Sequence, residues 1–89
     1  PLHLAAFYGR YNVAKLLLDY GANPNSRDFH ESTPLHLAVK HSNTKIIQLL
    51  KNYRANIYVK DIFGFMPNFY CRTNIDIKKE LMDPLTDII

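Results

Sequence analysis

The segment Pro-Leu-His-Leu-Ala stands at Pro1–Ala5 and again at Pro34–Ala38. A chain that copies itself at a period of 33 stacks like units side by side, because that length suits one small supersecondary unit. Laying residues 1–28 over 34–61 gives eleven identical pairs: Pro1/Pro34, Leu2/Leu35, His3/His36, Leu4/Leu37, Ala5/Ala38, Leu16/Leu49, Leu17/Leu50, Tyr20/Tyr53, Ala22/Ala55, Asn23/Asn56 and Asp28/Asp61. Chance would supply about two. Val13/Ile46 and Arg27/Lys60 keep their character. The next step brings Pro34 onto Pro67 and Ala38 onto Cys71. The apolar set that follows, Ile75, Ile77, Leu81 and Met82, aligns with Tyr11, Val13, Leu17 and Leu18 only when two residues are dropped.

The middle copy is complete and shows why each unit folds as a helix pair. Thr33 is a good N-cap, and Pro34 suits the first helical position, where no N–H is needed. Leu35, Leu37 and Ala38 give a short helix whose apolar side is kept thin by alanine. Ser42-Asn43 breaks it. Ile46, Ile47, Leu49 and Leu50 then recur at helical spacing as a buried stripe, and that helix ends near Tyr53-Arg54. Residues 55–65 form a hairpin-like loop leading to the next proline. In the first copy Gly9 and Gly21 end the two helices, where a left-handed residue is favoured. Their counterparts are Ser42 and Arg54, so the second copy is intrinsically weaker at its caps. In the loops the roles reverse: Asp61-Ile62-Phe63-Gly64 has a turn glycine, and Asp28-Phe29-His30-Glu31 has none.

These residues bound the function as well as the fold. At 89 residues the chain is one domain or part of one. Starting at Pro1 without the preceding Thr, it reads as a fragment or the end of a longer array, with Leu2, Val13 and Leu16 part-exposed for want of a neighbour. One cysteine excludes an internal disulfide. No secretory leader, glycosylation sequon or membrane-length apolar run is present, so an intracellular setting, cytoplasmic or nuclear, is expected. The net charge of +3 is uneven. Lys40, Lys45, Lys51, Arg54 and Lys60 against Asp61 make the middle copy the basic one.

The pattern Thr-Pro-Leu-His-Leu-Ala at this period resembles the ankyrin-repeat family. The resemblance implies an all-α solenoid of ankyrin repeats, antiparallel helix pairs joined by hairpin-like loops. It divides a single domain of residues 1–89 into repeats at 1–32 and 33–65 and a degenerate capping repeat at 66–89. By the same resemblance, His3 and His36 tie the helix start to the neighbouring hydroxyl and backbone. Asn25 sits where the family can be hydroxylated, although hydrogen bonding to the loop backbone is the simpler role. The positions that vary between family members become Phe7, Tyr8 and Tyr20, then Phe29, His30 and Ser32. The second copy adds Lys40, His41 and Tyr53, followed by Ile62, Phe63 and Phe65, with Arg72 and Thr73 continuing the row.

That row is rich in aromatic anchors with basic groups among them, which suits a protein partner carrying acidic residues. The residues expected to bind are Phe7, Tyr8, Phe29, His30, Lys40, His41, Ile62, Phe63 and Arg72. A competing reading packs Tyr20, Tyr53 and Phe65 inside the stack, and less readily Phe7, Phe29 and Phe63. No catalytic, cofactor or metal site is expected. The run from His30-Glu31 to His36 has the wrong spacing for a zinc helix, and Pro34 interrupts it. Cys71 reads as a small buried hydrophobe in the alanine position, and Asp76, Glu80, Asp83 and Asp87 as a solvated face. Two other functions remain open. One is a nucleic-acid-binding surface on the basic second copy, against which Lys45 and Lys51 fall away from Lys40 and Lys60. A targeting module of a larger enzyme would keep its chemistry outside these residues. Pro84 bars a continuous helix, and the tail from Leu81 to Ile89 is expected to cap the stack.

Overall fold

The computed structural model describes residues 1–71 and 74–81. It holds five α-helices: α1 (Leu2–Tyr8), α2 (Tyr11–Asp19), α3 (Pro34–Lys40), α4 (Thr44–Asn52) and α5 (Ile75–Leu81). A 3₁₀ helix at Pro67–Cys71 precedes α5, and no strand occurs among the described residues. Each unit is a helix pair: α1 with α2, α3 with α4, and the 3₁₀ helix with α5. The pairs stack so that α1, α3 and the 3₁₀ helix form one layer and α2, α4 and α5 the other. This is an all-α repeat solenoid.

Helices of seven and nine residues are too short to persist alone in water. Burial between pairs holds them. Leu35, Ile46, Ile47, Leu50 and Ile77 are almost wholly buried, each contributing about 1.5–3 kcal/mol. Ala5, Ala6, Ala14 and Ala38 line the same core, and their small side chains let neighbouring helices approach. Thr33 caps α3 as anticipated. Its hydroxyl accepts from the His36 N–H, and its own N–H donates to His36 Nδ1.

The motif histidines reach across 29 residues to the loop of the following pair. His3 Nε2 donates to the Ser32 carbonyl at 2.8 Å, and His36 Nε2 to the Phe65 carbonyl at 2.9 Å. The carbonyl partner sets the tautomer: Nε2 carries the proton and Nδ1 of His36 accepts from Thr33. Asn side chains add further ties. Asn25 Oδ1 accepts from the Asn56 N–H at 2.6 Å, and Asn43 Nδ2 donates to the Ala6 carbonyl at 2.6 Å. Asn25 therefore does bond loop backbone, across the junction of the first two pairs.

The anticipated left-handed positions are all left-handed, with or without glycine. Gly9 and Gly21 have φ of 70° and 94°, while their counterparts Ser42 and Arg54 have 57° and 66°. Glu31 at 57° is the counterpart of Gly64 at 84°. The repeat's backbone is thus retained where a side chain makes it costly.

Two sequence expectations need correction. Leu2 is buried, 4% exposed, not part-exposed, because it shares the α3-facing side of α1 with Ala5 and Ala6. Ile75 is 65% exposed and does not join the buried set. In register it matches Tyr11 and Thr44, both exposed, so only Ile77 and Leu81 carry the core stripe of α5. Met82 and the proposed cap at 82–89 lie outside the described residues, although Leu81 is buried.

Arg54→Gly should raise stability by about 1 kcal/mol, since glycine removes the left-handed penalty at a helix end. Gly9→Ala should lose more than about 1 kcal/mol, because the added Cβ also meets Asn43 Oδ1 at 3.0 Å. Urea unfolding of both variants checks the pair of signs.

Candidate interaction surface

The loop tips are built by one carboxylate each. Asp28 Oδ1 accepts from the N–H groups of His30 and Ser32, both at 2.9 Å. Asp61 Oδ1 repeats this with Phe63 and Phe65, both at 3.0 Å. A backbone bond then closes each turn, Asp28 to Ser32 and Asp61 to Phe65. With the carboxylate occupied inside the turn, the residues between are turned outward. Phe29 is 97% exposed, Phe63 68% and Ile62 56%, and His30 is exposed. The Ile62 N–H donates to the His30 carbonyl at 2.8 Å, which stitches one tip to the next.

A second group lies at the ends of α1 and α3. Phe7 packs edge-on against Tyr8 and lies 4.2 Å, centroid to centroid, from His41. Tyr8 is largely exposed. Lys40 holds its Nζ 4.7 Å from the centre of the Tyr70 ring, a cation–π contact. Phe7, Tyr8 and His41 therefore adjoin, as do Phe29, His30, Ile62 and Phe63. No ring contact or hydrogen bond joins the two groups among the described residues. Arg72 and Thr73 lie outside the described residues. Of the residues with a competing packed role, Tyr53 is part-buried against the core, and its hydroxyl donates to Asp19. Phe65 is partly covered and Tyr20 is 84% exposed.

The sequence reading missed Phe69 and Tyr70. They occupy the positions of His36 and Leu37 in the third copy, so the signal was a broken motif. Phe69 stacks flat on Phe65, with ring centres 3.8 Å apart at 7°, and remains 54% exposed. Tyr70 stands edge-on to both and donates its hydroxyl to Asp61. Burial, followed by that bond to the carboxylate, pushes the Tyr70 phenol up to about 12. On Asp61 burial works to raise the carboxyl, but the bonds from Tyr70, Phe65 and Phe63 outweigh it and hold it below 3.8. Cys71 is buried, and its thiol donates to the Asn68 carbonyl at 2.9 Å.

Also unanticipated is a cavity of about 550 Å³ between α2 and α4, lined by Tyr11, Asn12, Lys45, Gln48, Leu49 and Asn52. Its lining places Lys45 away from Lys40. Lys51 is engaged elsewhere, 3.5 Å from Glu80. The basic groups of the second pair thus point in several directions. Among the described residues no cluster of three His, Cys, Asp or Glu could hold a metal ion, and no helix is long and apolar enough to cross a membrane.

The His36 imidazole is held below its ordinary 6.5, chiefly because burial penalises the cation. Protonation would also displace Thr33 from Nδ1. A depressed folded pKa means the unfolded chain binds the proton first. Stability should be complete above pH 6.5 and fall as pH drops toward the folded value. Asp61 and Asp19, both lowered, should add a second loss below 3.8. Thermal unfolding against pH checks this, and His36→Gln should abolish the upper step. Tyr70→Phe should raise the Asp61 pKa, read by carboxyl NMR, because one of its donors is removed.

The family model described as Ankyrin repeats (3 copies) matches residues 1–61. No curated protein matches the sequence significantly.

Proposed function

Because this chain belongs to the ankyrin-repeat family, whose stacks are generally protein-interaction modules, we propose that it binds a protein partner through its loop tips and the ends of its inner helices, acting as a scaffold or adaptor. The observation that carries this reading is the tip row. Phe29, Ile62 and Phe63 are presented to solvent on turns rigidified from within by Asp28 and Asp61. Rigid apolar groups held in water lose little conformational entropy on binding and gain the most from being covered.

Lys40, His41 and the exposed Phe7 and Tyr8 would form the second contact zone. Its basic character favours acidic side chains on the partner. A nucleic-acid role is less well supported, since Lys45 and Lys51 turn away from Lys40 and Lys51 is paired with Glu80. Ankyrin repeats are generally non-catalytic, and an activity of a larger protein would then be directed, not performed, by this stack. An intracellular site of action, cytoplasmic or nuclear, completes the proposal.

The test is crosslinking capture with the whole chain and a Phe29→Glu/Phe63→Glu variant whose helicity is unchanged. The expected result is one captured protein that the variant loses, with affinity for the purified partner reduced at least about tenfold. Lys40→Glu should weaken binding less, through the association rate. Equal capture by wild type and double variant would remove the tips from the site. Capture of nucleic acid alone, with steep salt dependence, would overturn the reading.

A further inference from the structure

The outer helices carry one row of residues twice, and the two copies are satisfied differently. On α2 the row is Asn12, Lys15 and Asp19. In the 33-residue register its copy on α4 is Lys45, Gln48 and Asn52. Steps of three and four residues keep each row on one helix face. The first row closes on itself: Lys15 Nζ donates to Asp19 at 3.2 Å, and Tyr53 bonds the same carboxylate. The second row holds no acid. Lys45, Gln48 and Asn52 are exposed, with no ion pair or side-chain hydrogen bond among the described residues.

Those three side chains line the cavity of about 550 Å³ between α2 and α4, together with Tyr11, Asn12 and Leu49. A second cavity of about 340 Å³ shares Tyr11 and Lys45 with it and reaches Gly9, Ser42 and Thr44. The two make a groove with Lys45 where they meet. Both volumes lie in the range of ligand sites, roughly 300–1,000 Å³.

The chemistry of the lining selects the ligand. A carboxamide offers N–H donors and a carbonyl acceptor, the complement of a peptide group, and Asn12, Gln48 and Asn52 each supply one. Lys45 supplies a point charge to an anion. The only carboxylate on either helix, Asp19, is already engaged, so no acid of these helices competes for Lys45. Lys45 is also the one cation among the described residues lining the groove. A nucleic-acid backbone would call for several. From Lys45 to Asn52 the helix rises about 10 Å, the length of about three extended residues.

We propose that the groove between α2 and α4 is a second binding site, for an extended acidic peptide segment. Lys45 takes the carboxylate of that segment, the carboxamides take its backbone, and Tyr11 and Leu49 give its side chains apolar contact. The groove belongs to the outer helices, apart from the loop tips and the ends of the inner helices, so it goes beyond the interaction surface proposed above and is tested separately.

The test uses the whole chain carrying Phe29→Glu/Phe63→Glu, which takes the tips out of the readout. A phage-displayed random heptapeptide library is panned on it and depleted on the same chain with Lys45→Glu/Gln48→Ala. Both added substitutions fall on exposed positions, and an unchanged thermal midpoint checks the fold. Enriched peptides should carry Asp or Glu. A synthetic copy should shift the side-chain amide signals of Asn12, Gln48 and Asn52 in an NMR titration. Its affinity should fall at least about tenfold on Lys45→Glu, and by as much when its own acid is replaced by the amide. The gentler Lys45→Gln should weaken it in the same direction. Enrichment no better than on the depleting variant, enriched peptides without an acid, or shifts confined to other residues would overturn the proposal. The same amide shifts from inorganic phosphate or oligothymidine at equal concentration would give the groove to a bare anion or to nucleic acid and would equally overturn it.

Discussion

One hydrogen bond, repeated, sets the geometry on which the rest of this molecule depends. A motif histidine at the start of an inner helix donates from Nε2 to a loop carbonyl 29 residues on. In His36 the same ring accepts, through Nδ1, from Thr33, which caps its own helix. One side chain thereby fixes the helix start, its cap and the loop of the following pair. The loop tips can be exposed and still ordered because their roots are held this way. Acceptance at Nδ1 of His36 requires a neutral imidazole, which burial favours.

The same logic explains the change of character at the third pair. Phe69 replaces the histidine there. It stacks on Phe65, while Tyr70 bonds to Asp61, so both add to the loop that His36 already ties through the Phe65 carbonyl. At this junction aromatic packing and a tyrosine–carboxylate bond reinforce the histidine tie. The 3₁₀ geometry of this segment, in place of an α-helix, accompanies the change.

Loop and cap strain is distributed unevenly along the stack. Ser42, Arg54 and Glu31 adopt left-handed backbone that glycine holds in the sister position. The stacking of neighbouring pairs leaves the backbone no alternative there, so the penalty is borne rather than avoided. The second pair has two such residues and is flanked by a pair on either side. Its outer helix buries Ile46, Ile47, Leu49 and Leu50, where the outer helix of the first pair buries Ala14 and Leu18. More buried area offsets poorer caps.

The sequence by itself determined the units, their order, the helix caps and the left-handed positions, because each depends on residues close together or in strict register. The tip residues were reached through the family resemblance, and the structure adds the Asp-centred turns that turn Phe29, Ile62 and Phe63 outward. The sequence could not fully decide which apolar residues are covered, because that depends on what lies across the interface. Leu2 turns inward and Ile75 turns outward against expectation, whereas Val13 and Leu16 are exposed as expected. The ties of Asn25 to Asn56, Asn43 to Ala6 and Tyr53 to Asp19 were equally out of reach, each joining groups 31 to 37 residues apart. Only the tertiary structure brings such pairs within hydrogen-bond distance. It also showed Phe69 and Tyr70 as partners of Phe65 and Asp61, where the broken motif had shown only that the histidine was missing.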